Sequence, residues 1–206
     1  MCGRFDFHGQ ATSLAQLFGI EADDLELEPH YNTAPTMVTP VIANFNAAAR
    51  QVRLMRFGLV LTNRMLPNVR GETVRHKFRQ AFETRRALVP VNGFYEWREE
   101  KGKKQPYYFH GTNATLLALA AVYSDRPEAS FALVTTEPNS VVGEIHNRMP
   151  VIVAPDGYET WLTGDVADAQ ALVRPYPNDA IRLHAVNSAL VNTAAYDGPD
   201  CIRPIG

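Results

Sequence analysis

The chain has 206 residues, of which 46% are apolar, and a formal net charge of −2 from 20 basic and 22 acidic side chains. This length predicts one domain over residues 1–206, and the near-neutral balance excludes a generally basic nucleic-acid or membrane-surface protein. No apolar run approaches the roughly 18 residues of a membrane span, and no signal peptide is recognisable. We therefore expect a soluble, cytoplasmic protein without membrane association, nucleoid-associated if bacterial, in which any anionic partner is bound by a local patch.

Short strands among few helices are predicted along the chain. The first helix has Thr12 or Ser13 as its cap and Gly19 as its stop, and a second, amphipathic helix is expected over 73–85. Shorter helices are predicted at 158–162 and 165–173, and strands at 3–8, 37–45, 51–60, 87–91, 94–99, 107–110, 115–123, 131–135, 151–154 and 181–186. Without a regular βαβ alternation, this order favours an α+β fold with a mainly antiparallel sheet.

Metal and cofactor chemistry is not indicated. The six histidines include no closely spaced helical pair, and the sequence contains no C-x-x-C or H-E-x-x-H motif. Walker A and G-x-G-x-x-G loops are also missing from the sequence. We expect no metal site and no cofactor.

Cys2, in the opening string MCGRF, is one of two cysteines. Removal of Met1 would give it an α-amine and a thiol with ordinary pKa values of about 8 and 8.5. The pair could capture an aldehyde as a Schiff base and then a thiazolidine, or the thiol could attack an amide with the amine as base. An inert Cys2 is the alternative from position alone, and Cys201 is expected to be a small structural side chain.

Three further polar residues stand in distinctive strings. In NGFYEWRE a strand would place Glu96 among apolar neighbours that raise its pKa, although an edge-strand glutamate in solvent is equally compatible. His146, in EIHNRMP, lies at a turn entering a strand, where it could be chemical or merely structural. Asn68, in NVRGET, could alone be any turn asparagine.

A local positive charge lies between residues 64 and 86, where seven basic and two acidic side chains give 7 − 2 = +5. A continuous helix would bring Arg75, Arg79 and Arg86 near one face, where they could follow phosphates. Nearby apolar side chains could pack on unstacked bases, namely Phe57, Met65 and Leu66. The alternative is an ordinary solvated helix face.

Taken together, the motifs resemble those of the SOS response-associated peptidase (SRAP) family. They occur in the family's order over essentially the whole chain: MCGRF, YNTAP (31–35), RFGLV (56–60), NVRGET (68–73), RRALVPVNGFYEW (85–97), TTEPNSVVGEIHNRMPVIV (135–153) and VNSALVN (186–192). The resemblance implies a single α+β domain with a curved β-sheet core. It also implies a monomer that senses abasic sites in single-stranded DNA and shields them in a covalent thiazolidine crosslink.

The resemblance also implies roles for individual residues. Cys2 would be the nucleophile, Glu96 the proton acceptor, His146 the proton donor to the deoxyribose oxygen, and Asn68 the residue that orients Cys2. It places DNA contacts on Arg4, Asn32, Pro40, Phe57, Gly58, Leu59, Arg70, Lys77, Arg79 and Arg148. The family name records a further activity, autocatalytic removal of residues ahead of the cysteine.

The chain departs from the family pattern near the expected DNA surface. W-G-L-I-P is replaced by a segment from Phe57 to Leu61, N-A-R-A-E-T by NVRGET, and the cysteine of R-R-C-L by Ala87. Two rival functions stay open. One is an N-terminal nucleophile amidohydrolase, although Arg4 stands where Ile is usual; the other is a non-covalent single-strand binding module with an idle Cys2.

Overall fold

The computed structural model describes residues 2–21, 26–45, 49–62, 64–100, 102–113, 116–193 and 195–206. The strands are β1 (Arg4–Phe7), β2 (His30–Thr33), β3 (Val38–Ala43), β4 (Gln51–Phe57), β5 (Leu59–Leu61), β6 (Arg64–Leu66), β7 (Asn68–Arg70), β8 (Arg86–Val91), β9 (Gly93–Glu100), β10 (Lys103–Gly111), β11 (Leu117–Ser124), β12 (Ser130–Thr136), β13 (Met149–Pro150), β14 (Ile152–Val153) and β15 (Ile181–Ala185). The α-helices are α1 (Ala11–Phe18), α2 (Gly71–Lys77), α3 (Arg79–Thr84), α4 (Ser140–Gly143), α5 (Tyr158–Leu162), α6 (Val166–Ala171) and α7 (Ser188–Val191). Short 3₁₀ helices span Pro155–Gly157, Asn178–Ala180 and Pro199–Ile202.

Two sheets form the framework. One is antiparallel throughout, with the order β15-β10-β9-β1-β2. In the other, β12, β4, β3, β8 and β11 pair in sequence and β11 pairs again with β12, so these strands curve into a closed ring. Only the pairings of β12 with β4 and with β7 are parallel among the described strands. The predicted α+β fold with a curved, mainly antiparallel core is confirmed.

Aromatic packing joins the two sheets. The ring of Phe5 in β1 lies 5.1 Å from that of Phe57 in β4, and Phe57 stacks on Phe131 of β12 at 5.4 Å. All three rings are fully buried. Burial of each ring contributes about 2 kcal/mol or more, and the chain N-terminus is thereby anchored to both sheets.

The helices correct two boundary predictions. Helix α1 begins at Ala11 with Gln10 as an N-cap that makes no side-chain bond, so a Thr12 or Ser13 cap was wrong, whereas Gly19 ends the helix in the left-handed conformation as predicted. The helix expected over 73–85 is two helices, α2 and α3, because Phe78 adopts φ −126° and ψ 37° between them. Within the described ranges no helix is long and apolar enough to cross a membrane.

Arg86 contradicts the predicted basic face. It begins β8 and is only 4% exposed, and its guanidinium donates to the carbonyl oxygens of Phe82, Trp161 and Gly164. The side chain therefore ties α3 and the end of α5 to the sheet and is not available to phosphates.

This assignment predicts a large stability effect at Arg86. Arg86→Met should lower the free energy of unfolding by about 3 kcal/mol or more, because buried carbonyl groups lose their donors. Arg79→Met is the matched control, since Arg79 is 76% exposed and its ion pair is with Glu83 at i+4; it should change stability by less than about 0.5 kcal/mol. Urea unfolding followed by circular dichroism measures both, and equal effects would contradict the buried clamp.

Candidate active site

Cys2 lies beside strand β9, at the start of β1. Arg4 pairs with Tyr95 and Phe5 with Phe94, so extending this antiparallel register by one residue places Gly3 opposite Glu96. The Cys2 side chain is fully buried, and its thiol lies 3.7 Å from the Arg4 carbonyl oxygen. Asn68 Nδ2 donates to the Cys2 carbonyl oxygen at 2.8 Å. The sequence-predicted asparagine therefore contacts the N-terminal segment directly.

Glu96 occupies a central strand rather than an edge. Strand β9 lies between β1 and β10, and Glu96 is 2% exposed beside the buried Phe94 and Tyr95. The alternative of a solvent-exposed edge glutamate is wrong. Burial disfavours the charged form and raises the pKa of the Glu96 carboxyl to about 7. The group can thus accept or release a proton near neutral pH.

The turn after α4 fixes the orientation of His146. Asn139 caps α4 by accepting from Val142 N–H, and the His146 amide donates to the Val142 carbonyl oxygen. His146 Nδ1 lies 3.0 Å from the Arg148 amide nitrogen and 3.2 Å from the Arg148 carbonyl oxygen. The shorter contact, with the amide as donor, corresponds to a neutral ring that carries its proton on Nε2. That atom lies 3.9 Å from Glu96 Oε2. Burial also lowers the pKa of His146, which favours this neutral donor.

The Cys2 thiol is held in its protonated form. Burial raises the pKa of the thiol well above its usual range, and the nearby Glu96 carboxylate raises it further. A protonated thiol is a weak nucleophile. Its proton must therefore be transferred during any reaction rather than before it.

An open cleft of about 650 Å³ lies over Glu96 and His146, whereas Cys2 and Asn68 lie behind its lining. Its lining consists of Gly3, Arg4, Glu96, Trp97, Glu99, Lys104, His146 and Asn192. No role was predicted for Trp97, Lys104 or Asn192, although Trp97 and Asn192 end the motifs RRALVPVNGFYEW and VNSALVN. Trp97 Nε1 donates to Asn192 Oδ1 at 2.6 Å, which fixes the indole at the rim.

Two predicted DNA contacts are already engaged inside the protein. The buried Asn32 amide accepts from Arg4 at 2.7 Å and donates to the carbonyl oxygens of Thr193 and Tyr196. At 2% exposure the Asn32 side chain offers DNA no accessible group, so its burial gives no support to the predicted contact. One terminal nitrogen of Arg4 also donates to the carbonyl oxygens of Val191 and Thr193, so Arg4 braces this segment while still lining the cleft.

The side chains of the predicted DNA contacts at 57–59 lie in the core. Phe57 is fully buried and Leu59 is 3% exposed, so neither side chain is accessible to a base. Pro40 and Gly58 are buried too. Gly58 serves the backbone: its φ is +109°, and the Met65 side chain fills the space that a Cβ would need.

Arg148 is a structural cation rather than a free one. Its guanidinium forms a two-point ion pair with Glu72 and also donates to the carbonyl and hydroxyl oxygens of Thr135. These bonds engage both terminal nitrogens within the protein, and the contact of Arg148 with DNA stays a prediction. They join α2 to the turn that carries His146.

A second cleft of about 540 Å³ lies at strand β7. Arg70 and Lys77 line it, together with Asn68 itself. Both cations are exposed. Two of the predicted phosphate contacts are thus adjacent to the residue that contacts Cys2, whereas Arg79 points its guanidinium towards Glu83 at 2.7 Å.

Comparison with known proteins identifies the family of this chain. The sequence model of the family "SOS response associated peptidase (SRAP)" matches residues 1–193. The chain belongs to this family. This SRAP protein is 31% identical in sequence to the abasic site processing protein YoqW of Bacillus subtilis, over 98% of this chain and 99% of that protein.

Other SRAP relatives extend the similarity. The abasic site processing protein HMCES of Xenopus tropicalis is 27% identical over 90% of this chain and 69% of that protein. A crystal structure of a protein from Bacteroides thetaiotaomicron superposes on this SRAP chain with a TM-score of 0.87, at 22% identity, over 99% of this chain and all of that one. The latter similarity supports the fold alone.

Proposed function

We propose that this protein captures abasic sites in single-stranded DNA through the N-terminal aminothiol that removal of Met1 gives to Cys2. The observation that carries the proposal is that Glu96 and His146 line one cleft, while Asn68 holds the carbonyl oxygen of Cys2 on the segment that runs beside Glu96. The names of YoqW and HMCES, both abasic site processing proteins, point to the same substrate. Because all four residues come from one chain, we further propose that a monomer suffices.

The proposed reaction joins the aldehyde of the opened deoxyribose to two atoms of Cys2. The α-amine adds to the C1′ aldehyde, and loss of one water leaves an imine. The thiol then adds to the same carbon, and its proton passes to the imine nitrogen. The product is a five-membered thiazolidine plus water, so a thiol that stays protonated until the imine forms suits this order.

Each neighbour has a role in this sequence. Glu96, with a pKa of about 7, matches an α-amine of pKa about 8 and can take its proton, and it can return a proton when the adduct reverses. His146 Nε2 donates to the ring oxygen as the sugar opens. Asn68 holds the Cys2 carbonyl group at 2.8 Å and so limits rotation of the nucleophile.

The rival functions are separable by experiment. An amidohydrolase needs the thiol to attack first as a thiolate, which the raised thiol pKa disfavours. Autocatalytic peptide cleavage by the same residues meets the same objection. A strand containing one abasic site should give a band on a denaturing gel that the intact strand does not give, whereas a non-covalent module would give none with either.

His146 should act on ring opening. We expect His146→Ala to slow capture of an abasic site by about 100-fold, because one donor to a developing oxyanion is lost. Its reaction with a small acyclic aldehyde, which has no ring to open, should stay within about threefold of wild type. Rapid-quench gels and mass spectrometry measure the two rates, and equal slowing of both would contradict the assignment.

A further inference from the structure

The second cleft has walls that suit a nucleobase. The β5–β6 hairpin forms one wall, with Leu61 and Leu66 facing the cleft, and Phe78, at the junction of α2 and α3, contributes to the other. Strand β7 forms the floor. At about 540 Å³ the cleft has the size of an ordinary small-ligand site. These apolar side chains are only half-buried, so they offer flat apolar contact to a ligand.

Positive charge surrounds this apolar surface. Arg64, Arg70 and Lys77 line the same cleft and are exposed. Within the part of the chain that the structure describes, none of these three side chains forms a hydrogen bond or an ion pair, in contrast to Arg79, Arg86 and Arg148. A cleft that combines apolar walls with cations free of such bonds matches a base attached to its phosphates.

The position of the cleft relates it to the reactive end of the chain. Asn68 lines the cleft and donates to the Cys2 carbonyl oxygen at 2.8 Å, so one side chain separates the two sites. A strand whose lesion sits at Cys2 would place its next nucleotides along β7, in this cleft. The first cleft, which Glu96 and His146 line, would then hold the deoxyribose of the lesion.

We infer that the cleft between the β5–β6 hairpin and Phe78 is a subsite for one nucleobase flanking the lesion, which stacks there while Arg64, Arg70 and Lys77 hold its phosphates. This rests on the proposed function for the placement of the lesion. Stacking makes no hydrogen bonds to the edge of a base, so the subsite should bind all four bases alike. A nucleotide position without a base should bind more weakly. It supplies the base contact that the buried Phe57 cannot provide.

Base-deletion scanning tests the subsite. A single strand carries a stable tetrahydrofuran at the lesion position, which cannot form a crosslink, and a second tetrahydrofuran is placed at each of the neighbouring positions in turn. Fluorescence anisotropy measures the dissociation constants with wild-type protein. We expect the affinity to fall by about 5- to 150-fold at one position on one side of the lesion, the loss that one base stack represents.

Protein variants show whether the cleft causes this loss. In Phe78→Leu, and independently in Leu61→Glu, deletion of that base should cost less than about threefold. Leu54→Glu is the matched control, because Leu54 is 53% exposed on β4 and is absent from the cleft lining; it should keep the full loss. Thermal unfolding confirms that each variant is folded. A base-deletion loss that is spread evenly, or that persists in both cleft variants, would overturn the subsite.

The two proposals fail separately. Tetrahydrofuran has no aldehyde, so this binding measurement is independent of the chemistry at Cys2. Loss of the positional effect with capture intact would remove the subsite alone. Retention of the effect without capture would leave the subsite in a non-covalent strand-binding protein.

Discussion

Cys2→Ala will form no DNA adduct that survives denaturation, whereas the wild-type protein will convert an abasic strand to a stable crosslink. Alanine keeps the α-amine after Met1 removal but lacks the sulfur, so the reaction stops at an imine that hydrolyses. Borohydride reduces imines and should therefore trap the Cys2→Ala adduct. Denaturing gels with and without borohydride measure this difference. Without borohydride, the amount of Cys2→Ala adduct should fall to background.

Cys201→Ala provides the matched control, because Cys201 is also fully buried but lies in the C-terminal 3₁₀ helix. It should crosslink like the wild type. Intact mass of the wild-type product should equal protein without Met1 plus oligonucleotide less one water. A stable adduct of unreduced Cys2→Ala, or a crosslinked peptide that still carries Met1, would contradict thiazolidine formation.

Local patterns predicted those parts of the fold that depend on neighbouring residues. Alternation in FYEW predicted apolar neighbours around Glu96 because side chains of a strand alternate between faces, but it left a buried and a solvent-exposed edge position equally open. The 2% exposure of Glu96 decides for the buried position. Gly19 ended α1 as predicted because only glycine adopts the left-handed conformation without strain. The raised pKa of Glu96 then follows from its burial.

Predictions failed where a side chain's role depends on contacts with residues that are distant in the sequence. The local sequence shows that Asn32, Arg86 and Arg148 are polar. It does not show which distant carbonyl or carboxylate groups form hydrogen bonds with them. Arg148 pairs with Glu72, 76 positions away, and Arg86 donates to Trp161, 75 positions away. The periodicity of 73–85 fitted one helix, but Phe78 breaks it at a backbone conformation that apolar spacing does not encode. The closed ring of strands and the tautomer of His146 likewise depend on contacts made only in the fold.

Glu96→Gln should reduce the rate of capture by about 100-fold or more, because an amide cannot take the proton of the α-amine. In the wild type the rate should rise with pH through about 7, as Glu96 ionises, and this ionisation step should be missing from the variant. Glu128→Gln is the control, since Glu128 is 47% exposed and pairs with Arg56 away from the cleft. Rates for the three proteins from about pH 5 to 9, at constant ionic strength, measure the effect.

The same substitution should stabilise the protein at high pH. Burial raises the Glu96 pKa from 4.5 to about 7, so the folded state binds this proton more tightly than the unfolded chain does. The contribution of Glu96 to the free energy of unfolding is therefore greatest below its pKa in the unfolded chain, 4.5, and is lost as pH rises through about 7. The total loss is about 3 kcal/mol, at about 1.4 kcal/mol per pKa unit. The amide of the variant carries no charge at any of these pH values, so Glu96→Gln should exceed wild type in denaturant resistance at about pH 8 and approach it at about pH 5. If Glu96→Gln is less stable than the wild type at about pH 8, the buried carboxylate does not destabilise the fold. If the variant captures abasic sites more slowly and is also more stable, the protein keeps a destabilising carboxylate because its chemistry requires one.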